Sequence, residues 1–88
     1  MKKTFIVSFE VQTGTDLTEF YEALKSYRTW ARVTEHTWAI ATEDRAKEVR
    51  DYLIQFLPTS SRLFVIKSGS IAAWRNLICS TEWLKKNL

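Results

Sequence analysis

Between Thr4 and Val11 the chain falls into two parities: Phe5, Val7, Phe9 and Val11 share one, and Ile6, Ser8 and Glu10 the other. Successive side chains of a strand point to opposite faces, so this run predicts a strand with one wholly apolar face. Its second face turns polar and ends in a carboxylate. A chain that opens this way needs a sheet with a layer packed on the Phe5 side, and it must either neutralise Glu10 or use it.

The 88 residues suffice for one domain, since separate cores need roughly 100 residues each. We therefore read residues 1–88 as a single domain with a tail over 70–88. Apolar residues make up 45% of the chain and aromatics 14%, enough to bury a core without cross-links and too many for a disordered segment. Cys79 is the only cysteine, which excludes an intramolecular disulfide and a cysteine zinc cluster and makes a cytoplasmic location the default. Met1-Lys2-Lys3 opens like a secretion signal, but Ser8 and Glu10 interrupt the apolar run that follows. Nothing approaches the roughly 20 apolar residues of a membrane span, so no membrane partner is expected.

The net charge of +3 is too small to announce a nucleic-acid partner, but its distribution is uneven. Up to Asp51 there are 8 basic and 9 acidic residues; beyond it Arg62, Lys67, Arg75, Lys85 and Lys86 face only Glu82. These five cations are either a solvated surface or a patch that faces an anion.

After the first strand, Gln12-Thr13-Gly14 supplies a turn. Asp16, with Glu19 three residues on, predicts a capped helix start, and Leu17, Phe20, Tyr21, Leu24 and Tyr27 recur at the spacing of one helical face. Trp30 to Thr42 reads as a hairpin of two short strands reversing at Glu35-His36. Ala46, Val49, Leu53, Phe56 and Leu57 mark a second amphipathic helix that Pro58 ends. Leu63-Phe-Val-Ile66 then reads as a central strand covered on both faces. The order β-α-β-β-α-β predicts an α+β, ferredoxin-like sandwich with both helices on one face of an antiparallel sheet. The opposite face calls for the tail, where Trp74, Leu77, Ile78, Trp83, Leu84 and Leu88 form a short apolar helical segment, or for a second copy of the chain.

Three stretches carry a family resemblance: Phe5-Ile-Val-Ser-Phe-Glu-Val11, Arg32-Val-Thr-Glu-His-Thr-Trp-Ala-Ile-Ala-Thr42, and Ser61-Arg-Leu-Phe-Val-Ile-Lys67. In this order, with helices between, they resemble the CRISPR-associated protein two superfamily. With Thr37-Trp-Ala-Ile40 in the hairpin and Glu82-Trp-Leu-Lys-Lys-Asn-Leu88 at the end, the chain is most similar to that superfamily's stand-alone SinR-like relatives. The resemblance implies a ferredoxin-like homodimer joined across open sheet faces and, in some members, Mg²⁺- or Mn²⁺-dependent cleavage of RNA or DNA. The family's metal ligand is an aspartate ending the first strand, which makes Glu10 the implied catalytic and metal-binding residue. Glutamate is a departure: it keeps the charge, but its extra methylene displaces the oxygens, and Mg²⁺ demands near-ideal geometry at about 2.0–2.1 Å.

Other candidates have plainer readings. His36, the only histidine, has a side chain suited to proton transfer, yet it falls in a turn where a solvated polar residue needs no explanation. Ser8 and Ser68 have no base at recognisable spacing, and Cys79 has no helper. The four tryptophans could stack on bases, but Trp30, Trp38, Trp74 and Trp83 are spaced for core or interface packing. P-loop and dinucleotide fingerprints are absent. The sequence thus points to a small dimeric protein that holds RNA or DNA through Arg62, Lys67, Arg75, Lys85 and Lys86, with weak nuclease activity or none. A metal-dependent, toxin-like endoribonuclease and a ligand-binding regulatory module are the alternatives.

Overall fold

The computed structural model describes residues 2–69 and 71–88; Met1 and Ser70, where the sequence-defined tail begins, lie outside the described residues. Strand β1 (Lys3–Glu10) is followed by α1 (Thr18–Lys25), the hairpin β2 (Thr29–Thr34) and β3 (Thr37–Thr42), and α2 (Ala46–Leu53). A 3₁₀ turn at Ile54–Phe56 leads to β4 (Arg62–Lys67), and α3 (Thr81–Asn87) closes the chain. The strands form one four-stranded sheet ordered β2-β3-β1-β4, with every neighbouring pair antiparallel. The protein is a small mixed α+β domain.

The parity of β1 divides the molecule. Phe5, Val7 and Phe9 sit opposite Ile40 and Trp38 of β3 and opposite Lys67, Val65 and Leu63 of β4, so their side chains share a face. Phe20, Ala23 and Leu24 of α1 and Val49 and Leu53 of α2 join that face in one buried cluster, which places both helices on the same side. The rings interlock there: Phe9 meets Phe20 edge-on at 4.8 Å, and Tyr21 stacks on Trp38 at 5.5 Å. The hairpin reverses at Glu35-His36 as the sequence predicts, but the second α-helix stops at Leu53, short of the expected Leu57, and Phe56 sits in the 3₁₀ turn that follows.

The helix starts differ from expectation. Helix α1 has Leu17 at its N-cap with no side-chain cap. Asp16 instead accepts the N–H of Thr18 (2.9 Å) and its hydroxyl (2.7 Å), bonds that hold its carboxyl below its usual range. Glu19 closes no capping box. The reciprocal contact occurs at α2, where Glu48 accepts the N–H of Arg45 at 2.9 Å. Helix α1 also ends at Lys25, so Tyr27 packs from the following turn, edge-on to Tyr52 at 6.0 Å.

Strand β4 overturns one expectation outright. Its apolar run is not central: β4 is an edge strand, with Phe64 60% and Ile66 48% exposed. Both lie on the face away from the helices, with Ile6 and Ser8 of β1 opposite. The tail covers the other half of that face. Trp83 of α3 donates its indole N–H to Thr29 (2.9 Å), and Thr4 donates its hydroxyl to the Asn87 carbonyl. Beneath this cover Ala31, Ala39 and Ala41 are buried, their short side chains giving a flat bed for Leu84, which is itself buried. The N–H of Ile78 bonds the carbonyl of Val33 (3.0 Å), tying the tail to β2. Among the described residues no helix is long and apolar enough to cross a membrane.

Two outcomes check this packing. Phe9→Ala, at a position 4% exposed, should lower stability by about 3–5 kcal/mol in urea unfolding, the usual loss for a buried phenylalanine. Tyr27 supplies a pH signature: burial first, then the charges of Asp44 and Tyr52, push its phenol up to about 12 from 10.0. A raised folded value means that the contribution is intact below the unfolded value and is lost as pH climbs through the folded one. The wild type should therefore lose stability relative to Tyr27→Phe between about pH 10 and 12, read as diverging urea midpoints.

Candidate functional site

Glu10 is the last residue of β1, and the antiparallel register sets it opposite Arg62, the first residue of β4. The Arg62 guanidinium donates to the Glu10 carboxylate in an ion pair whose side chains are 82% and 67% exposed. The carboxylate that the strand pattern leaves on the open face is thus neutralised by its cross-strand neighbour. The pair flanks an open groove of about 490 Å³ that also takes in Ser8, Phe9, His36 and Phe64.

His36 reaches this groove through backbone geometry. The N–H of Phe9 bonds the His36 carbonyl at 3.0 Å, and the imidazole stands edge-on to the Phe9 ring at 5.6 Å. Sequence reasoning places His36 correctly in a turn but misses its company. The hairpin returns that turn beside the end of β1, so Ser8, Glu10, His36 and Arg62 all line one concavity. Such a set can pair with a phosphate through Arg62 and move a proton through His36.

A metal fits poorly within one chain. Among the described residues no group of three His, Cys, Asp or Glu side chains converges as an ion would require. Glu10, the residue implied as ligand, has its carboxylate engaged by Arg62. The described residues do not build a Mg²⁺ or Mn²⁺ site in a single copy.

The basic residues singled out from the sequence do not form one patch. Arg62 lies at the Glu10 end of the sheet, while Lys67 sits opposite Phe5 at the other end of β4. Lys85 and Lys86 are exposed on α3, whose Asn87 meets Thr4 near the start of β1. Thr4 and Glu10 are six residues apart, about 20 Å along a strand. Arg75 is exposed in the bend that precedes α3. Two cations missed by sequence reasoning, Lys2 and Arg28, join Lys86 in a second groove of about 380 Å³ at the α3 end. They belong to the acidic half of the chain, so a count by sequence position passes over them.

The tryptophans serve packing first. Trp38 is 2% exposed and lies 5.4 Å from Trp30, and the Arg32 guanidinium stands 5.2 Å over Tyr21. Cys79 is half-buried, and burial pushes its thiol up, away from the reactive thiolate form. No protein-family model, curated protein or solved structure matches the chain.

The ion pair should matter little to the fold, because solvent screens a pair this exposed. A double-mutant cycle of Glu10→Ala and Arg62→Ala is expected to give a coupling of about 0–1 kcal/mol in urea unfolding. A coupling well above this range would mean that the pair anchors the sheet end.

Proposed function

We propose that this protein is a ferredoxin-like homodimer that holds a nucleic-acid backbone and cuts it weakly or not at all. The order β2-β3-β1-β4 supports the fold reading, because β1 is inserted between β3 and β4, and β3 between β1 and β2, as two interleaved β-α-β units require. The resemblance to the CRISPR-associated protein two superfamily and its SinR-like relatives supports the same reading, and with it RNA or DNA as the partner.

The observation that carries the dimer is the bare half of the sheet. A flat apolar edge strand is an aggregation hazard that proteins normally cover, and Phe64 and Ile66 stand uncovered beside one. The Ser68 N–H bonds the Thr4 carbonyl at 2.8 Å, which turns even-numbered residues of β4 toward β1. The N–H and C=O groups of Leu63, Val65 and Lys67 therefore point outward, free to bond another strand. An antiparallel pairing of two β4 strands about a two-fold axis at Val65 would set Phe64 of one copy against Ile66 of the other. It would also keep the two copies of Arg62, and the two copies of Lys67, well apart along the strands.

Weak cleavage follows from Glu10. A carboxylate has to sit within about 0.5 Å of its productive place, and this one is both a methylene longer than aspartate and bound to Arg62. Backbone binding does not need it, since exposed Arg and Lys supply the counterion release that drives such association.

Sedimentation at micromolar concentration should give a dimer, and Phe64→Glu should give a monomer of 10.3 kDa. Incubation with RNA and with duplex DNA, with and without Mg²⁺ or Mn²⁺, is expected to show salt-sensitive binding without cleavage. Metal-dependent cutting lost in Glu10→Ala would instead establish the endoribonuclease alternative, with His36 as a candidate for proton transfer. A wild-type monomer that binds neither nucleic acid would overturn the proposal.

A further inference from the structure

We infer that the groove between α3 and the α1–β2 turn, where Lys2, Arg28 and Lys86 converge, is the track on which this protein carries a phosphodiester backbone. The inference rests on the nucleic-acid reading above and names the surface that performs it. Three cations from distant parts of the chain come together there. Trp83 bonds Thr29, the residue after Arg28, and so sets α3 against the start of β2. At the other end of the helix Asn87 receives the hydroxyl of Thr4 on its carbonyl and the ammonium of Lys2 on its side-chain oxygen, the latter at 3.2 Å. Lys86 lies between these two anchors. The docking of α3 thereby builds a groove of about 380 Å³ with three cations and one carboxylate, Glu82, on its walls.

The chemistry of the walls selects the ligand. Lys2, Arg28 and Lys86 are all exposed, and among the described residues no buried donor lines the groove, so it lacks the enclosure that captures a free phosphate ion. An open row of cations suits a polyanion, whose condensed counterions are released on contact. Trp83, with its N–H already committed to Thr29, adds a half-buried aromatic wall against which a base or sugar can rest. Acids bound the track on the other side: the neighbouring concavity, which shares Lys2 and Arg28, brings in Glu43 and Asp44. A backbone is therefore drawn to the α3 side of these cations. Lys85, one residue from Lys86 and exposed on the same helix, extends the positive field.

The test is fluorescence anisotropy of labelled single-stranded RNA and duplex DNA over a salt series. The proteins are wild type, the double variant Arg28→Ala/Lys86→Ala, and Lys47→Ala as a control for loss of charge on α2. Each phosphate contact contributes about 0.7–0.9 to the slope of log affinity against log salt, so the double variant should lose about 1.4–1.8 of slope. It should also bind about tenfold more weakly at low salt. Lys47→Ala should leave the slope unchanged, and the charge-retaining Arg28→Lys/Lys86→Arg should restore it, which separates lost contacts from lost folding. Inorganic phosphate at constant ionic strength should not compete. Wild-type binding that survives in Arg28→Ala/Lys86→Ala with its slope intact overturns this track while leaving the backbone reading in place. Saturable competition by phosphate would mean a discrete anion pocket rather than a track, and absence of wild-type binding would sink both readings.

Discussion

Everything in this molecule hangs on β1 being hydrogen-bonded on both edges. Because Lys3–Glu10 pairs with β3 on one side and β4 on the other, its period of two is imposed across the sheet. One parity assembles Phe5, Val7, Phe9, Trp38 and Ile40 under the two helices. The other parity creates the second face, with Thr4 and Ala39 at one end and Glu10 and Arg62 at the other. A slip of one residue in the β1–β4 register would exchange these faces. It would bury Glu10 against Phe20 and Leu24, a cost of several kcal/mol for an unpaired charge, which is why the register is strongly specified.

That second face is divided by side-chain size. Alanines at 31, 39 and 41 leave room for a helix to lie close, and α3 occupies them, held at its ends by hydrogen bonds to Thr29 and Thr4. Phe64 and Ile66 are too bulky to extend the same flat bed, and α3 leaves them exposed. Small residues beneath the tail and large ones beside it therefore produce two surfaces from one sheet face: a built groove at the α3 end and a bare apolar strip on β4. The two make different demands of a partner, one for charge and the other for apolar area.

Much of this was legible in the sequence wherever a local pattern has one physical solution. The alternation of Phe5, Val7 and Phe9 allows only a half-buried strand, Pro58 bars helix beyond it because it lacks a donor, and Glu35-His36 interrupts a β-rich run. The status of β4 was not legible. Leu63-Phe-Val-Ile66 reads as a doubly covered strand because nothing local distinguishes cover by the same chain from cover by another. The candidate site was half legible for a similar reason. Glu10 announces itself at the end of a clean pattern, whereas its pairing with Arg62 and its nearness to His36 arise from strand register, which joins residues 52 positions apart. Lys2 and Arg28 gave no signal at all, being separated from Lys86 by most of the chain.

The two ends of the second face also differ in how their charge is held. At the Glu10 end the Arg62 guanidinium is already partnered, and because the pair is exposed its net strength is about 0–1 kcal/mol. An arriving phosphate can displace the carboxylate at little cost to the fold, but it must leave Glu10 unpaired beside a second negative charge. At the α3 end the positive side chains of the described residues outnumber the carboxylates on the groove walls, and Lys2 donates to the neutral side-chain amide oxygen of Asn87. An anion there meets a surplus of cations on the groove walls, with Glu43 and Asp44 confined to the neighbouring concavity. The distribution of partners, more than the number of cations, thus distinguishes the two ends: a cation surplus on the α3 groove walls and a closed carboxylate–guanidinium pair at the Glu10 end.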